Sequence, residues 1–138
     1  MTAIWPDDLP CCPLDGISAG PRSARIVTPV DVGPPKMRRR GAPLRTIALA
    51  HYFDANQRAR FDRFWDEDLR YGTLPFLYRD PHFNNYLLST ELGAVLQDEN
   101  GVPIRVESWI LCVFSANQPT WSKRGGKFFP QFEIVELP

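Results

Sequence analysis

The stretch LRTIALAHYFDANQRARFDRFWDEDLRYG, residues 44–72, decides the fold class. After its first two positions the residues alternate. Ile47, Leu49, His51 and Phe53 fall on one side, and Thr46, Ala48, Ala50 and Tyr52 on the other. A period of two with one apolar face is the signature of a half-buried strand. Asp54 breaks the alternation. An acceptor at Asp54 with Gln57 three residues on is a capping box, which opens a helix by satisfying its first free N–H groups. Phe61, Phe64, Trp65 and Leu69 then recur at i, i+3, i+4 and i+8, one apolar stripe of an amphipathic helix. Arg58, Arg60, Asp62, Arg63, Asp66, Glu67 and Asp68 cover the remaining faces. Gly72 is the stop, so a helix is predicted over 55–71.

Downstream, the chain reads as short strands. Leu74–Tyr78 is one, closed by Arg79-Asp80-Pro81. Residues 84–97 hold two candidates, 86–91 and 94–97, and Asn100-Gly101 is a hairpin turn signal. Ile104, Val106, Ser108, Ile110, Cys112 and Phe114 alternate with polar or outward positions, as one long strand or two split near Ser108. Residues 117–126, with Asn117, Pro119, Gly125 and Gly126, read as a loop. Phe128–Val135 is the last strand, and Pro130 places it at an edge or bulge because proline lacks the ladder donor.

Upstream, residues 1–43 hold eight of the 14 prolines. Fixed φ and missing donors exclude a long helix or a central strand there. An edge strand near Arg25–Val30 and turns at Asp15-Gly16 and Val32-Gly33 are expected. Ile4, Trp5, Leu9, Leu14, Ile26, Val27, Val30 and Val32 are too many apolar anchors for a disordered linker. The expectation is an extended proline-rich arm, 1–43, that docks on a surface, followed by a β domain, 44–138. One amphipathic helix then covers a mostly antiparallel β-sandwich or open barrel.

Composition narrows function. Formal net charge is zero, whereas proteins that neutralise nucleic-acid phosphates usually carry a basic excess. No apolar run approaches the ~20 residues that cross a membrane. Cys11, Cys12 and Cys112 are an odd set with two adjacent members, neither a disulfide framework nor the usual ligand spacing of zinc. His51 lies in the alternating strand and His82 in a turn. No nucleophile elbow, phosphate loop, dinucleotide fingerprint or zinc-protease motif occurs. No catalytic residue, metal ligand or cofactor is therefore assigned. The most distinctive charge feature is Lys36-Met37-Arg38-Arg39-Arg40 with Arg45, in a stretch without acidic residues from 32 to 53. Its readings are an exposed basic loop, a contact with carboxylates of a neighbouring subunit, or phosphate binding.

Trp5-Pro6-x-x-Leu9-Pro10, Asp31-x-Gly33-Pro34-x-Lys36-x-Arg38-Arg39-Arg40, the strand, the helix with Phe61 and Phe64, and Gly72-Thr73-Leu74-Pro75-Phe76 resemble a family. In that order they are similar to the distal tail and minor tail proteins of phages and prophages, in particular the minor tail protein M family of lambda-like phages. The likeness runs from about Trp5 to Leu137. Residues 92–102 and 117–126 depart from it as insertions. The resemblance implies a tail-tube-like β fold with one helix, built into the virion; synthesis in the host cytoplasm is expected because Met1 to Pro10 lacks a basic stretch followed by an apolar block. Such a subunit forms a homo-oligomeric ring, a hexamer, at the distal end of the tail tube. Its partners are the tail tube protein and the tail tip or hub, with DNA only as cargo through the lumen. Trp5, Pro6, Leu9, Lys36, Arg38, Arg39, Arg40 and Trp121 are then the candidate subunit interface. On this reading, deleting residues 1–22 spares folding and impairs assembly. The alternative is a virion-associated receptor- or carbohydrate-binding β module, with Trp109, Trp121 and Tyr86 as an exposed platform.

Overall fold

The computed structural model describes residues 1–11, 13 and 17–138; the turn expected at Asp15-Gly16 lies outside them. Its strands are β1 (Ala3–Ile4), β2 (Ser18–Ala19), β3 (Ser23–Thr28), β4 (Lys36–Ala50), β5 (Phe76–Arg79), β6 (Tyr86–Leu87), β7 (Arg105–Val106), β8 (Trp109–Phe114), β9 (Thr120–Arg124) and β10 (Lys127–Glu136). Helix α1 (Ala55–Arg63) runs into a π-helical turn, Phe64–Asp68. The chain is mainly β with one short helix, in a mixed, mostly antiparallel sheet.

The main sheet has the order β1-β5-β8-β10-β4-β2, with β3 continuing along β4 beyond β2 and β9 along β10 beyond β8. The alternation in residues 46–53 places its side chains as expected. Ile47, Leu49, His51 and Phe53 are buried on the inner face beside Phe76 and Tyr78 of β5, Ile110, Cys112 and Phe114 of β8, and Phe132 and Ile134 of β10. The helix lays Phe61 and Phe64 on that face. Its capping box forms: Gln57 N–H donates to Asp54 Oδ1 at 2.8 Å and Asp54 N–H to Gln57 Oε1 at 3.0 Å.

The α-helix is shorter than the predicted 55–71. Leu69 N–H reaches back five residues to Phe64 O at 3.0 Å, and Tyr71 N–H reaches Trp65 O at 2.8 Å. The widened turn rotates Leu69 inward to zero exposure. In a regular helix Leu69 would sit about 80° around the axis from Phe61, at 100° per residue. The chain then leaves through three residues of positive φ: Arg70, Tyr71 and Gly72 at 47°, 61° and 75°.

The N-terminal arm is part of the domain. β1 lies parallel to β5, with Trp5 N–H donating to Leu77 O at 2.9 Å. Trp5, Pro6 and Leu9 are buried. The Trp5 indole lies between helix and sheet, within 6.3 Å, centroid to centroid, of His51, Phe61, Phe64, Phe76, Tyr78 and Phe132. Gln57 Nε2 donates to Asp8 O at 3.3 Å, tying the segment to the helix start. The expectation that deleting residues 1–22 spares folding is therefore corrected, because that deletion removes the centre of the core.

Three further readings change. The boundary expected at residue 43 falls inside β4, so the Lys36–Arg40 cluster is strand rather than loop. Residues 120–124, read as loop, form β9, joined to β10 through Gly125-Gly126 at φ 56° and 77°. Pro130 sits in a central strand. Its carbonyl accepts His51 N–H at 3.0 Å, and the absent Pro130 donor coincides with the end of regular β4 pairing at Ala50. The run 104–114 divides into β7 and β8, as the split reading had it.

Candidate assembly surface

Two structures project from the sheet, both from the same end. β10 pairs Glu136 with Arg45 of β4 and with Cys112 of β8, and the strand ends there. Both neighbours run past that point. β4 continues outward as Lys36–Leu44, paired among the described residues only with β3. At ~3.3 Å per residue this two-stranded ribbon extends roughly 25 Å. Its register sets Arg25 opposite Arg39, Ile26 opposite Arg38, Val27 opposite Met37 and Thr28 opposite Lys36. Cross-strand partners share a face. Arg25, Arg39, Val27 and Met37 thus form one face, and Ile26, Arg38, Thr28 and Lys36 the other. Gly41, at φ 74°, lies where the register shifts between Ser23 and Arg25.

The base of the ribbon is clamped by a buried carboxylate. Glu136 points to the inner face and is 7% exposed. Arg45 Nε donates to its Oε2 at 2.8 Å, and Arg22 Nη2 donates to its Oε1. Glu136→Gln should weaken both contacts. Because both arginines reach solvent, the expected loss is about 1–2 kcal/mol rather than the larger cost of breaking a fully buried pair. The urea midpoint measures it. Hydrogen exchange should quicken in residues 22–44 and stay unchanged in β5 and β8.

The second projection is residues 81–108, between β5 and β8. It is built as three hairpins on a closed ring of backbone hydrogen bonds. Leu88 N–H donates to Ile104 O at 3.0 Å, Ile104 N–H to Leu96 O at 3.0 Å, and Leu96 N–H to Leu88 O at 2.9 Å. One hairpin is the stem, β6 on β7. The other two turn at 90–94 and 98–102. At the second, Asp98 Oδ1 accepts from Asn100 and Val102 N–H, both at 2.9 Å, around the expected Asn100-Gly101 turn. No residue from 81 to 109 is buried. Leu92 and Val102 are 97% and 57% exposed, so this unit has no core of its own.

Asp80 staples the stem. Its N–H donates to Ser108 O at 2.8 Å, and its carboxylate accepts His82 N–H at 2.8 Å and Ser108 Oγ–H at 3.3 Å. Serine, histidine and aspartate residues thus adjoin here, but His82 takes part through its backbone N–H and not its imidazole. The serine proton goes to the carboxylate rather than to an imidazole, so the arrangement holds a turn and does not activate a nucleophile. His51 Nε2 meets Tyr78 Oη at 2.8 Å inside the aromatic core. The Cys112 thiol is driven well above its ordinary pKa, first by burial and then by Glu136. Such a thiol is unreactive. Among the described residues no three of His, Cys, Asp and Glu stand together as a metal site, and Cys12 lies outside them.

The candidate interface residues therefore separate. Lys36, Arg38, Arg39 and Arg40 are exposed on the ribbon. Trp5, Pro6 and Leu9 are inside, so they cannot also be interface. The proline-rich leader supplies the core residue that closes the helix onto the sheet. Trp121 is half-buried against Phe53 and Phe61, with the Arg58 guanidinium 5.0 Å above its ring. Trp109 and Trp121 do not form one platform. Trp121 faces Pro130, while Trp109 lies beyond Cys112, which faces Glu136. The two are roughly 30 Å apart along the strand at ~3.3 Å per residue. The three-hairpin unit was missed as a surface. Its signal was Leu87, Leu88, Leu92, Val95 and Leu96 in a stretch with no clean period. Among the described residues no helix is long and apolar enough to cross a membrane. Comparison with protein-family models, curated proteins and solved structures finds no match to this chain.

Proposed function

We propose that this chain is a structural, non-enzymatic subunit of a bacteriophage tail, forming a homo-oligomeric ring at the distal end of the tail tube and joining the tube to the tip or hub. The observation that supports this reading is the pair of projections at one end of the sheet. Both hold apolar side chains that the chain leaves uncovered: Met37 at 56% and Val32 at 91% exposure on the ribbon, Leu92 at 97% on the three-hairpin unit. Exposed apolar surface on this scale marks an interaction site. A ribbon that reaches past its own sheet contacts a neighbour rather than a small ligand. The likeness of the Asp31–Arg40 segment and its surroundings to phage tail proteins points to which assembly.

The test is light scattering and negative-stain electron microscopy of the purified chain. Closed rings, six-fold on this reading, with antibody label at the distal tail end of particles from the host, are the expected result. A chain that stays monomeric up to about 100 μM, tighter than which most specific assemblies bind, and is absent from particles would overturn it.

A further inference from the structure

We infer that neighbouring copies of this chain are joined by the basic ribbon of one lying on the acidic three-hairpin unit of the next. The inference rests on the homo-oligomer proposed above and not on its place in a tail. Arg25, Lys36, Arg38, Arg39 and Arg40 stand on the ribbon against one acid, Asp31 at its turn. None of the five has an ion pair or side-chain hydrogen bond among the described residues. Arg25 and Arg39 face each other directly. Like charges across a ladder destabilise it, so the ribbon is short of counter-charge. The three-hairpin unit carries the complement: Glu91, Asp98, Glu99 and Glu107 against Arg105. Glu91 and Glu99 have no ion pair among the described residues, and Glu107 meets Arg79 only at 3.6 Å and stays exposed.

Within one copy the two do not meet. β10 lies between β4 and β8, and no hydrogen bond or ion pair among the described residues links ribbon to hairpin unit. Sheet order places the ribbon toward the β2 edge and the hairpin unit toward the β1 edge, both at one strand end. Rotation about an axis parallel to the strands keeps that end level from copy to copy. It sets the ribbon edge of one copy beside the hairpin edge of the next. Such a contact joins two different surfaces, and it closes into a ring when the rotation divides a full turn. Apolar residues on both partners, Val27 and Met37 on one and Leu92 and Val102 on the other, would be covered at the same contact.

Charge reversal tests the pairing on the full chain. R25E/R39E reverses the ribbon face that carries Val27 and Met37, and E91R/E99R reverses the hairpin unit. All four residues are exposed, so circular dichroism should be unchanged. Each variant alone should self-associate about a hundred-fold more weakly, since like charges at an interface are strongly repelled. The four-fold variant carrying both reversals should recover the wild-type oligomer. Wild-type rings that survive both single reversals, or reversals that fail to rescue each other, would overturn the pairing while leaving the ring. A wild-type chain that is monomeric throughout would overturn the ring as well.

Discussion

Trp5→Ala is expected to destabilise the protein by about 3–5 kcal/mol, the range for deleting a large buried aromatic side chain. The indole touches rings from the helix, from His51 just past β4, and from β5 and β10, and its Nε1–H donates to Pro10 O at 3.2 Å. The cavity would open where helix and sheet meet, and neither can close it without breaking its own backbone ladder. Domains of this size are stable by roughly 5–15 kcal/mol, so this one truncation removes a large share. Thermal unfolding should drop by about 10 °C or more. Deleting residues 1–22 also removes β1, β2 and the Arg22 clamp, and should leave the chain unfolded by near-ultraviolet circular dichroism. A truncated chain with native dispersion in its NMR spectrum would refute the placement of Trp5.

Gly72→Ala should cost about 2–4 kcal/mol, summing a left-handed backbone position and overpacking. Gly72 has φ 75°, and a Cβ there would fall inside the van der Waals envelope of the Trp65 ring. Trp65 cannot simply swing away, because its ring lies 4.8 Å from Phe114 in an edge-to-face contact. Relief would unwind the π-helical turn and withdraw Leu69 from the core. Urea unfolding should show a lower midpoint with an unchanged slope. Gly33→Ala, at φ 95° but with open space around it, isolates the backbone part and should lose about 1 kcal/mol. Equal losses at the two positions would show that the Trp65 contact is unimportant.

The β class, the inner face of β4 and the helix start were legible in residues 44–72 because each is set by local rules. Alternation at period two, an apolar stripe near period 3.6 and a three-residue capping box depend on neighbours in sequence. The helix end was legible only in part. The π-helical turn answers to where Leu69 must go, which is a demand of the sheet beneath. The Lys36–Arg40 cluster was read as an assembly element from its charge, and the structure places it on an exposed ribbon.

Proline content misled at both ends. It marked residues 1–43 as an arm outside the core, although Trp5-Pro6 needs only two ladder residues before it to carry an indole to the centre. It marked β10 as an edge or bulge, although one lost donor is tolerated where β4 ends. What the sequence determined alone is the strand, the cap, the apolar stripe and the charges, since these are fixed by residues a few positions apart. The tertiary structure decided which segment fills the core, where β10 stops, and so how far the ribbon and the three-hairpin unit stand clear of the sheet. Those outcomes depend on pairing and burial between residues tens of positions apart, and no local period records them.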